Sequence, residues 1–167
     1  MQLNKNSQTK NQMFRNRKFY FHINTRTKDD TNFEPPMDLA FELCIDKLHQ
    51  AHQICDVDIN GFVLMNNHYH LIINCSFEEL SEFMQIFKLS FLDEFHYEVI
   101  RSKKYLHNAY RYIYQNPIRA GLSKRVQDYP YSLIYKLYHF ERIPFPVIDK
   151  FGIVDDYKLY WMNQEIK

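Results

Sequence analysis

The segment from Gly61 to Cys75 reads GFVLMNNHYHLIINC and consists mainly of apolar residues that favour strands. Its length and composition predict one long strand or two short ones within a sheet. Because alternate side chains of a strand point to the same face, His68 and His70 are predicted to share one face. Tyr69 is predicted to point the opposite way, into the core. This pair of neighbouring imidazoles is the first candidate site in the chain.

Residue patterns on both sides of this segment predict the order of the remaining elements. In chain order we predict a strand over residues 18–26, a helix over 37–54, strand structure over 56–74, a helix over 76–89, a strand over 91–100 and a helix over 102–115. The order is that of a ferredoxin-like fold. The predicted fold class is therefore α+β, an antiparallel sheet with helices on one face and the last helix near the histidine strand.

Residues at the predicted helix ends support these boundaries. Pro35 and Pro36 precede the first helix, where proline is tolerated. Ser76 is a predicted N-cap, and Glu79, three residues later, is predicted to complete a capping box. The third helix is predicted to begin at Ser102 and to end before Pro117, since proline breaks the backbone hydrogen bonding of a helix.

A chain of 167 residues is most simply one domain. We expect a basic N-terminal tail over residues 1–16, a main domain over 17–127, and a C-terminal extension over 128–167 that packs on the same domain. The three cysteines lack a C-x-x-C spacing, so we expect buried, reduced thiols in a cytoplasmic protein. No apolar run approaches the roughly 20 residues of a membrane span. With three glycines, neither a P-loop nor a dinucleotide-binding fingerprint can be built.

Basic residues are segregated along the chain although the net charge is only +1. Every charged side chain before Asp29 is basic, and so is every one between Glu98 and Asp128. The residues that we predict to bind a polyanion are Arg15, Arg17, Lys18, Arg26, Arg101, Lys103, Lys104, Arg111 and Arg119. One interpretation is a single basic face for a polyanion. The other is two charged surface segments that never meet in space.

The third predicted helix offers two side chains that could complete a metal site. Tyr112 and Asn116 are four residues apart and therefore share one helix surface. If that surface covers the histidine face, Asn116 becomes a third ligand beside His68 and His70, and Tyr112 lies next to the metal. Such a geometry suits attack by tyrosine on a phosphodiester that the metal polarises.

Each of these features also has an ordinary structural interpretation. The chain has eight histidines and thirteen tyrosines, so an H-x-H pair can be two hydrogen-bonded imidazoles with no metal. A tyrosine in a helix rich in aromatic residues can be a core residue. The residues alone leave both interpretations open.

Three separated stretches resemble a known family. They read MNNHYHLII, YRYIYQNPIRAGL and DYPYS, and they resemble the single-tyrosine HUH transposases, most closely the REP-associated tyrosine transposase branch. The likeness runs from about Phe19 to about Ser132. In that family a strand with the pattern Met-Pro-Asn-His-hydrophobic-His and a helix ending in Tyr-Ile-x-x-Asn-Pro-x-x-Ala-Gly are the signatures.

The resemblance implies a function and a site. His68 and His70 match the HUH metal ligands, Asn116 matches the third ligand and Tyr112 matches the nucleophile. The implied reaction is cleavage and rejoining of single-stranded DNA at a hairpin-forming repeat, through a 5′-phosphotyrosine and a free 3′-hydroxyl, with Mg²⁺ or Mn²⁺. The implied partner is a DNA hairpin and not a membrane. The resemblance also implies a monomer or weak homodimer in the bacterial cytoplasm, at the nucleoid.

Two features depart from the family pattern. Asn66 stands where the family has proline. The segment over residues 87–95, FKLSFLDEF, is shorter than in relatives and carries Asp93 and Glu94 in place of basic residues. This departure implies weaker strand transfer or hairpin recognition, and it keeps open a domesticated, non-catalytic protein that binds a single-stranded DNA hairpin. A metal-dependent phosphodiesterase that uses water is a third hypothesis.

Overall fold

The computed structural model describes residues 17–27, 31–90, 95–149 and 155–164. Its strands are β1 (Phe19–Arg26), β2 (Asp58–Leu64), β3 (His68–Cys75) and β4 (His96–Ile100), and its helices are α1 (Met37–Ile54), α2 (Phe77–Phe87), α3 (Lys103–Arg119), α4 (Leu133–Tyr138) and α5 (Asp156–Asn163). A short 3₁₀ helix, Val126–Asp128, lies between α3 and α4. The histidine segment thus forms two strands, one of the two predicted alternatives.

The four strands form one antiparallel sheet in the order β2-β3-β1-β4. β3 lies between β2 and β1, and seven of its eight residues are buried. The central position of β3 follows from its apolar sequence, since a strand with neighbours on both sides loses the most apolar surface to solvent. The order of elements and strands confirms the predicted ferredoxin-like α+β fold.

The two faces of the sheet carry different helices. On one face, Phe21, Tyr69 and Leu71 contribute to the main core with residues of α1 and α2. On the other face, Ile72 packs with α3 residues such as Ile113 in a second core. Tyr69 is 2% exposed in the main core, which confirms its predicted direction. The α3 helix therefore lies on the sheet face to which His68 and His70 belong by strand alternation.

The register between strands brings polar residues of β1 beside the histidines. His70 is paired with Asn24 and His68 with Arg26 across β1 and β3. On the opposite side of β1, His22 is paired with Glu98 of β4. Paired residues of antiparallel strands share a face, so β1 carries an imidazole, an amide and a guanidinium on the histidine face.

Pro117 lies inside α3, so the prediction that the helix ends before it is wrong. Proline cannot donate to the carbonyl four residues earlier, which belongs to Ile113. The side chain of Asn116 replaces part of this loss, because its Nδ2 donates to the backbone oxygens of Tyr112 at 2.9 Å and of Ile113 at 3.5 Å. The helix ends two residues beyond Pro117, and Gly121 follows in the left-handed conformation with a φ of 70° that ends many helices.

The predicted N-caps are confirmed at both later helices. Ser76 Oγ accepts a hydrogen bond from the backbone N–H of Glu79 at 3.2 Å, and Ser102 Oγ accepts one from Tyr105 at 3.1 Å. The carboxylate of Glu79 accepts a hydrogen bond from the backbone N–H of Asp56. That contact joins the start of α2 to the end of α1 and differs from the reciprocal bond of a capping box.

The chain after α3 packs against that helix. Val126, Leu159 and Met162 belong to the second core together with α3 residues. Gln115 of α3 donates to the backbone oxygens of Met162 at 2.7 Å and Gln164 at 2.8 Å. These contacts hold α5 along α3.

Three further predictions concern the whole chain. Cys44, Cys55 and Cys75 are free and buried, as predicted. Within the described ranges, no helix is both long enough and apolar enough to span a membrane. The predicted basic tail over residues 1–16, which includes Arg15, lies outside the described residues.

Gly61 allows α3 to lie close to β2, and its substitution should measurably destabilise the fold. A Cβ at this position would lie 3.1 Å from Tyr114 Oη and 3.2 Å from Ile113 Cδ1. We expect Gly61→Ala to lower the free energy of unfolding by about 1–3 kcal/mol, as overpacking does. Urea denaturation measures this loss, and combining the change with Tyr114→Phe should recover part of it. An alanine variant as stable as the parent protein would contradict this close packing.

Candidate active site

His70 is the centre of the site. It is 6% exposed, and its Nδ1 lies 3.1 Å from His22 Nε2. Its Nε2 is buried and has no hydrogen-bond partner among the described residues. If Nδ1 carries the proton and donates a hydrogen bond to His22 Nε2, the Nε2 of His70 presents a lone pair. A buried, unpartnered imidazole nitrogen with its other nitrogen fixed has the arrangement of a metal ligand.

The electrostatics of this pair favour neutral imidazoles. Burial lowers the pKa of His70 well below its usual value, and nearby His22, His68 and Arg26 lower it further. Burial also lowers the pKa of His22, while the negative charge of Glu98 opposes part of that shift. Both side chains are therefore uncharged at neutral pH, which is the form that binds a cation.

Tyr112 is placed beside the two imidazoles. Its ring centroid lies 5.4 Å from that of His70 and 5.9 Å from that of His22. Tyr112 is 40% exposed, whereas Tyr110 is 3% and Tyr114 is 1% exposed. Burial raises the pKa of both buried phenols. Of the three tyrosines in this part of α3, Tyr112 alone combines exposure with contact to His70.

His68 lies beside His70, Asn116 lies one turn beyond Tyr112 on α3, and both side chains bond to other groups. The ring of His68 is 5.1 Å from that of His70, and its Nδ1 is 2.6 Å from Asn67 Oδ1. Asn116 shares the α3 surface with Tyr112, but its amide nitrogen bonds to its own helix. Such a bond leaves the amide oxygen as the atom that could face a cation.

A cavity of about 560 Å³ opens between α3 and the histidine face of the sheet. Its lining includes His22, His70 and Tyr112, together with Asn24, Arg26, Glu98, Tyr105, Asn108, Ala109 and Arg111. Neither His68 nor Asn116 belongs to this lining. Tyr105 closes one side and donates a hydrogen bond to Glu98. The cavity thus joins a phenol, neutral imidazoles and cationic side chains.

Some residues of each basic segment lie at this cavity, and the others lie elsewhere. Arg26 of β1 and Arg111 of α3 both line it, and the guanidinium of Arg119 lies 5.5 Å from the ring centroid of Tyr112. Lys18 points away and forms a salt bridge of 2.7 Å with Asp56. Arg17 lies over the ring of Phe19 at 5.2 Å. Arg101, Lys103 and Lys104 flank the start of α3 and are exposed.

Sequence reasoning missed His22, which the structure places against His70. Alternation in β1 puts His22, Asn24 and Arg26 on one face, and that signal is readable in the sequence. Their position beside β3 depends on which strands pair and in which register. That pairing is a long-range property that the periodicity of one strand does not contain.

His70 is the residue of this site best suited to bind a divalent ion. Its unpartnered Nε2 and the adjacent ring of His68 offer nitrogen donors that such an ion accepts, and the amide of Asn116 lies one turn beyond Tyr112 on α3. A different group, Cys55, Glu79 and Glu82, has three ligand atoms within 4.8 Å of one another. It lies near the opposite end of β3 and is separate from Tyr112. Burial, together with both carboxylates, raises the pKa of Cys55 to about 11, so this thiol is protonated at neutral pH.

Comparisons with known proteins give one structural match. No protein-family model matches the chain, and no curated protein matches it in sequence. A solved structure of a REP-associated tyrosine transposase bound to a REP hairpin matches with a TM-score of 0.60 and 21% identity. The match covers 83% of this chain and 88% of the transposase chain. The chain therefore has the fold of a REP-associated tyrosine transposase.

Proposed function

We propose that this protein cleaves and rejoins single-stranded DNA at hairpin-forming repeats, with Tyr112 as the nucleophile. The observation that carries the proposal is the position of Tyr112, exposed in a cavity and packed against His70, whose Nε2 has no hydrogen-bond partner among the described residues. The shared fold with a transposase that was solved with a REP hairpin supports the same substrate class. We propose that this activity is located at the nucleoid.

The reaction follows from the chemistry of a phenol and a phosphodiester. The oxygen of Tyr112 attacks phosphorus, the bond from phosphorus to the 3′-oxygen breaks, and the products are a 5′-phosphotyrosine and a 3′-hydroxyl. Attack of a 3′-hydroxyl on the phosphotyrosine reverses these steps and rejoins DNA. The basic residues at the cavity, Arg26, Arg111 and Arg119, hold the phosphate backbone.

A divalent ion, Mg²⁺ or Mn²⁺, would polarise the phosphate and stabilise the departing 3′-oxygen when bound. His68 and His70 would hold it, with the oxygen of Asn116 as a third ligand. With the proton of His70 on Nδ1, His22 Nε2 would accept a hydrogen bond from it at 3.1 Å, which would leave Nε2 of His70 for the ion. Within the chain, we propose that residues 17–127 carry this site and that residues 128–167 brace α3.

The His22 contact leads to a prediction about metal affinity. Replacing His22 with leucine removes the hydrogen-bond acceptor of His70, and we expect Mn²⁺ binding to weaken by about 10- to 100-fold. Replacement with glutamine keeps an acceptor and should weaken binding less. Isothermal titration with Mn²⁺ measures both affinities, and circular dichroism checks the fold. Equal Mn²⁺ affinity in the leucine variant and the parent would show that His22 does not orient His70.

The cationic side chains lead to a prediction about salt. Three phosphate contacts from Arg26, Arg111 and Arg119 should give a slope of about −2 in log affinity against log salt, at about 0.7 per contact. We expect Arg26→Gln to reduce the slope by about 0.7. Lys47→Gln is the matched control, because Lys47 lies on α1 and bonds to Gln50. Fluorescence anisotropy of a labelled hairpin measures the slopes. A hairpin affinity that does not change with salt concentration would refute this interface.

A second function, non-catalytic binding of a single-stranded DNA hairpin, is favoured by one observation. The amide of Asn116 bonds to the α3 backbone, and neither Asn116 nor His68 lines the cavity. The bonds of Asn116 to its own helix and of His68 to Asn67 give both side chains a structural role that needs no metal. Such a protein would retain the hairpin affinity described above without cutting DNA.

A single assay separates the two functions. The protein is incubated with Mn²⁺ and a hairpin oligonucleotide that is labelled at its 3′ end and carries single-stranded tails, then denatured and separated by electrophoresis. Cleavage by tyrosine leaves the labelled fragment attached to the protein and releases a fragment whose 3′-hydroxyl a polymerase extends. Salt-dependent binding without any denaturation-resistant adduct supports the binding function. Hydrolysis without an adduct supports a phosphodiesterase that uses water.

A further inference from the structure

A second cavity, of about 370 Å³, lies between α3 and α5. It is lined by Lys104, His107 and Asn108 from α3 and by Tyr157, Lys158 and Trp161 from α5. None of the α5 residues belongs to the basic segments that the sequence pattern identified. Because Gln115 bonds α3 to α5, the two walls of the cavity are held in place relative to each other.

The aromatic wall of this cavity is oriented by its neighbours. The guanidinium of Arg111 lies 5.2 Å from the ring centroid of Trp161. The ring of His107 lies 6.2 Å from it in an edge-on arrangement. Tyr157, one turn earlier in α5, is 73% exposed. The half-buried indole and the exposed phenol offer flat apolar surfaces, and flat aromatic rings bind unpaired bases by stacking.

The charge of the cavity suits a phosphate. Lys104 and Lys158 both line it, and within the described part of the chain neither has a salt-bridge partner. Among the described residues that line the cavity there is no carboxylate. Burial lowers the pKa of His107, and the positive charges of Lys158 and Lys103 lower it further. His107 is therefore uncharged at neutral pH.

The second cavity adjoins the cavity at Tyr112. Asn108 lines both of them. Arg111 lines the first and lies over the indole that lines the second. A strand that leaves Tyr112 across α3 would meet these two residues and then Trp161. Both cavities therefore lie along the path that one single strand could follow.

We propose that the cavity between α3 and α5 binds an unpaired nucleotide of the DNA strand that occupies the Tyr112 cavity. Its base stacks on Trp161, and its phosphate contacts Lys104 and Lys158. This inference rests on the proposed function, since it assigns a further contact to the same single-stranded substrate. It gives the C-terminal part of the chain a role in reading the single-stranded flank of the hairpin.

Trp161 is the only tryptophan of the chain, so its fluorescence reports directly on this cavity. The protein is titrated without divalent metal, to prevent cleavage, with a hairpin oligonucleotide that carries unpaired tails on both sides. The same hairpin without tails is the control ligand. Anisotropy of a dye on each oligonucleotide measures binding independently. We expect the tailed hairpin, and not the blunt one, to quench the emission of Trp161.

Two variants extend the test. We expect Lys158→Gln to weaken binding of the tailed hairpin and to reduce its salt slope by about 0.7, the value of one phosphate contact, while Lys47→Gln changes neither. Replacing Trp161 with leucine should weaken binding by roughly fivefold or more, as the loss of one stacked base does. Phenylalanine at the same position retains a ring and should restore most of the affinity, which separates stacking from a folding defect.

The outcomes distinguish the inference from the proposed function. If the tailed hairpin binds by anisotropy, but Trp161 emission is unchanged and Lys158→Gln binds as the parent does, the second cavity is not a nucleotide site and hairpin binding stands. Quenching by free thymidine monophosphate at the same concentration as the tailed hairpin overturns the assignment to DNA. An absence of binding to any oligonucleotide overturns both proposals.

Discussion

Tyr112→Phe is expected to abolish the covalent adduct with DNA and to reduce strand cleavage by more than about a thousandfold, because the nucleophilic oxygen is removed. The ring that packs at 5.4 Å from His70 and 5.9 Å from His22 is retained, so the fold should be unaffected. The measurement is the denaturation-resistant adduct with a 3′-labelled hairpin. Tyr138→Phe is the matched control, since Tyr138 is 37% exposed and lies on α4.

The result also distinguishes tyrosine from water as the nucleophile. If Tyr112→Phe still cuts the hairpin with Mn²⁺ and the parent protein forms no adduct, the reaction is hydrolysis. If Tyr112→Phe forms the adduct at the parent rate, another tyrosine attacks and the position of Tyr112 has been misinterpreted. Unchanged hairpin affinity in this variant is expected in either case, because the cationic side chains remain.

Replacing both His68 and His70 with alanine is expected to abolish metal-dependent cleavage. The variant loses the unpartnered Nε2 of His70 and the adjacent imidazole of His68, which together supply the nitrogen ligands. It also leaves the buried His22 without its bond to His70, so we expect a loss of about 1–3 kcal/mol in the free energy of unfolding. Cleavage and thermal unfolding are both measured.

Two comparisons separate loss of metal from loss of fold. His68→Ala alone changes a half-buried side chain and should reduce cleavage without lowering the midpoint of unfolding. His139→Ala removes an exposed imidazole directly after the C-terminus of α4 and should change neither quantity. Undiminished cleavage by the double variant at saturating Mn²⁺ would show that these histidines are not part of the site.

The fold was predictable because its signals are local. The alternation of β1, the capping serines and the apolar segment of β3 each specify an element without knowledge of its partners. The shared helix face of Tyr112 and Asn116 is also a local property, because four residues span about one turn. Pro117 shows the limit of local rules, since the side chain of Asn116 bonds to the carbonyl that proline leaves without its usual donor.

The part of the site that was not predictable depends on contacts between distant segments. His22 becomes the partner of His70 only through the pairing of β1 with β3. Basic residues show the same limit, because Arg26 reaches the cavity while Lys18, eight residues earlier, bonds to Asp56. Trp161 and Lys158 lie beside α3 only because α5 packs there. The distribution of charge along the sequence shows how many basic residues each segment has, but it does not show where each side chain points.

The most direct test of the proposed function is to identify the tyrosine that carries the DNA. The adduct formed with a single-stranded hairpin and Mn²⁺ is digested with nuclease and trypsin, and the nucleotide-bearing peptide is sequenced by mass spectrometry. Tryptic cleavage after Arg111 and Arg119 separates Tyr110 from the peptide over residues 112–119, and fragmentation then distinguishes Tyr112 from Tyr114. We expect the nucleotide on Tyr112. A nucleotide on Tyr110 or Tyr114, which are buried in the second core, would contradict it.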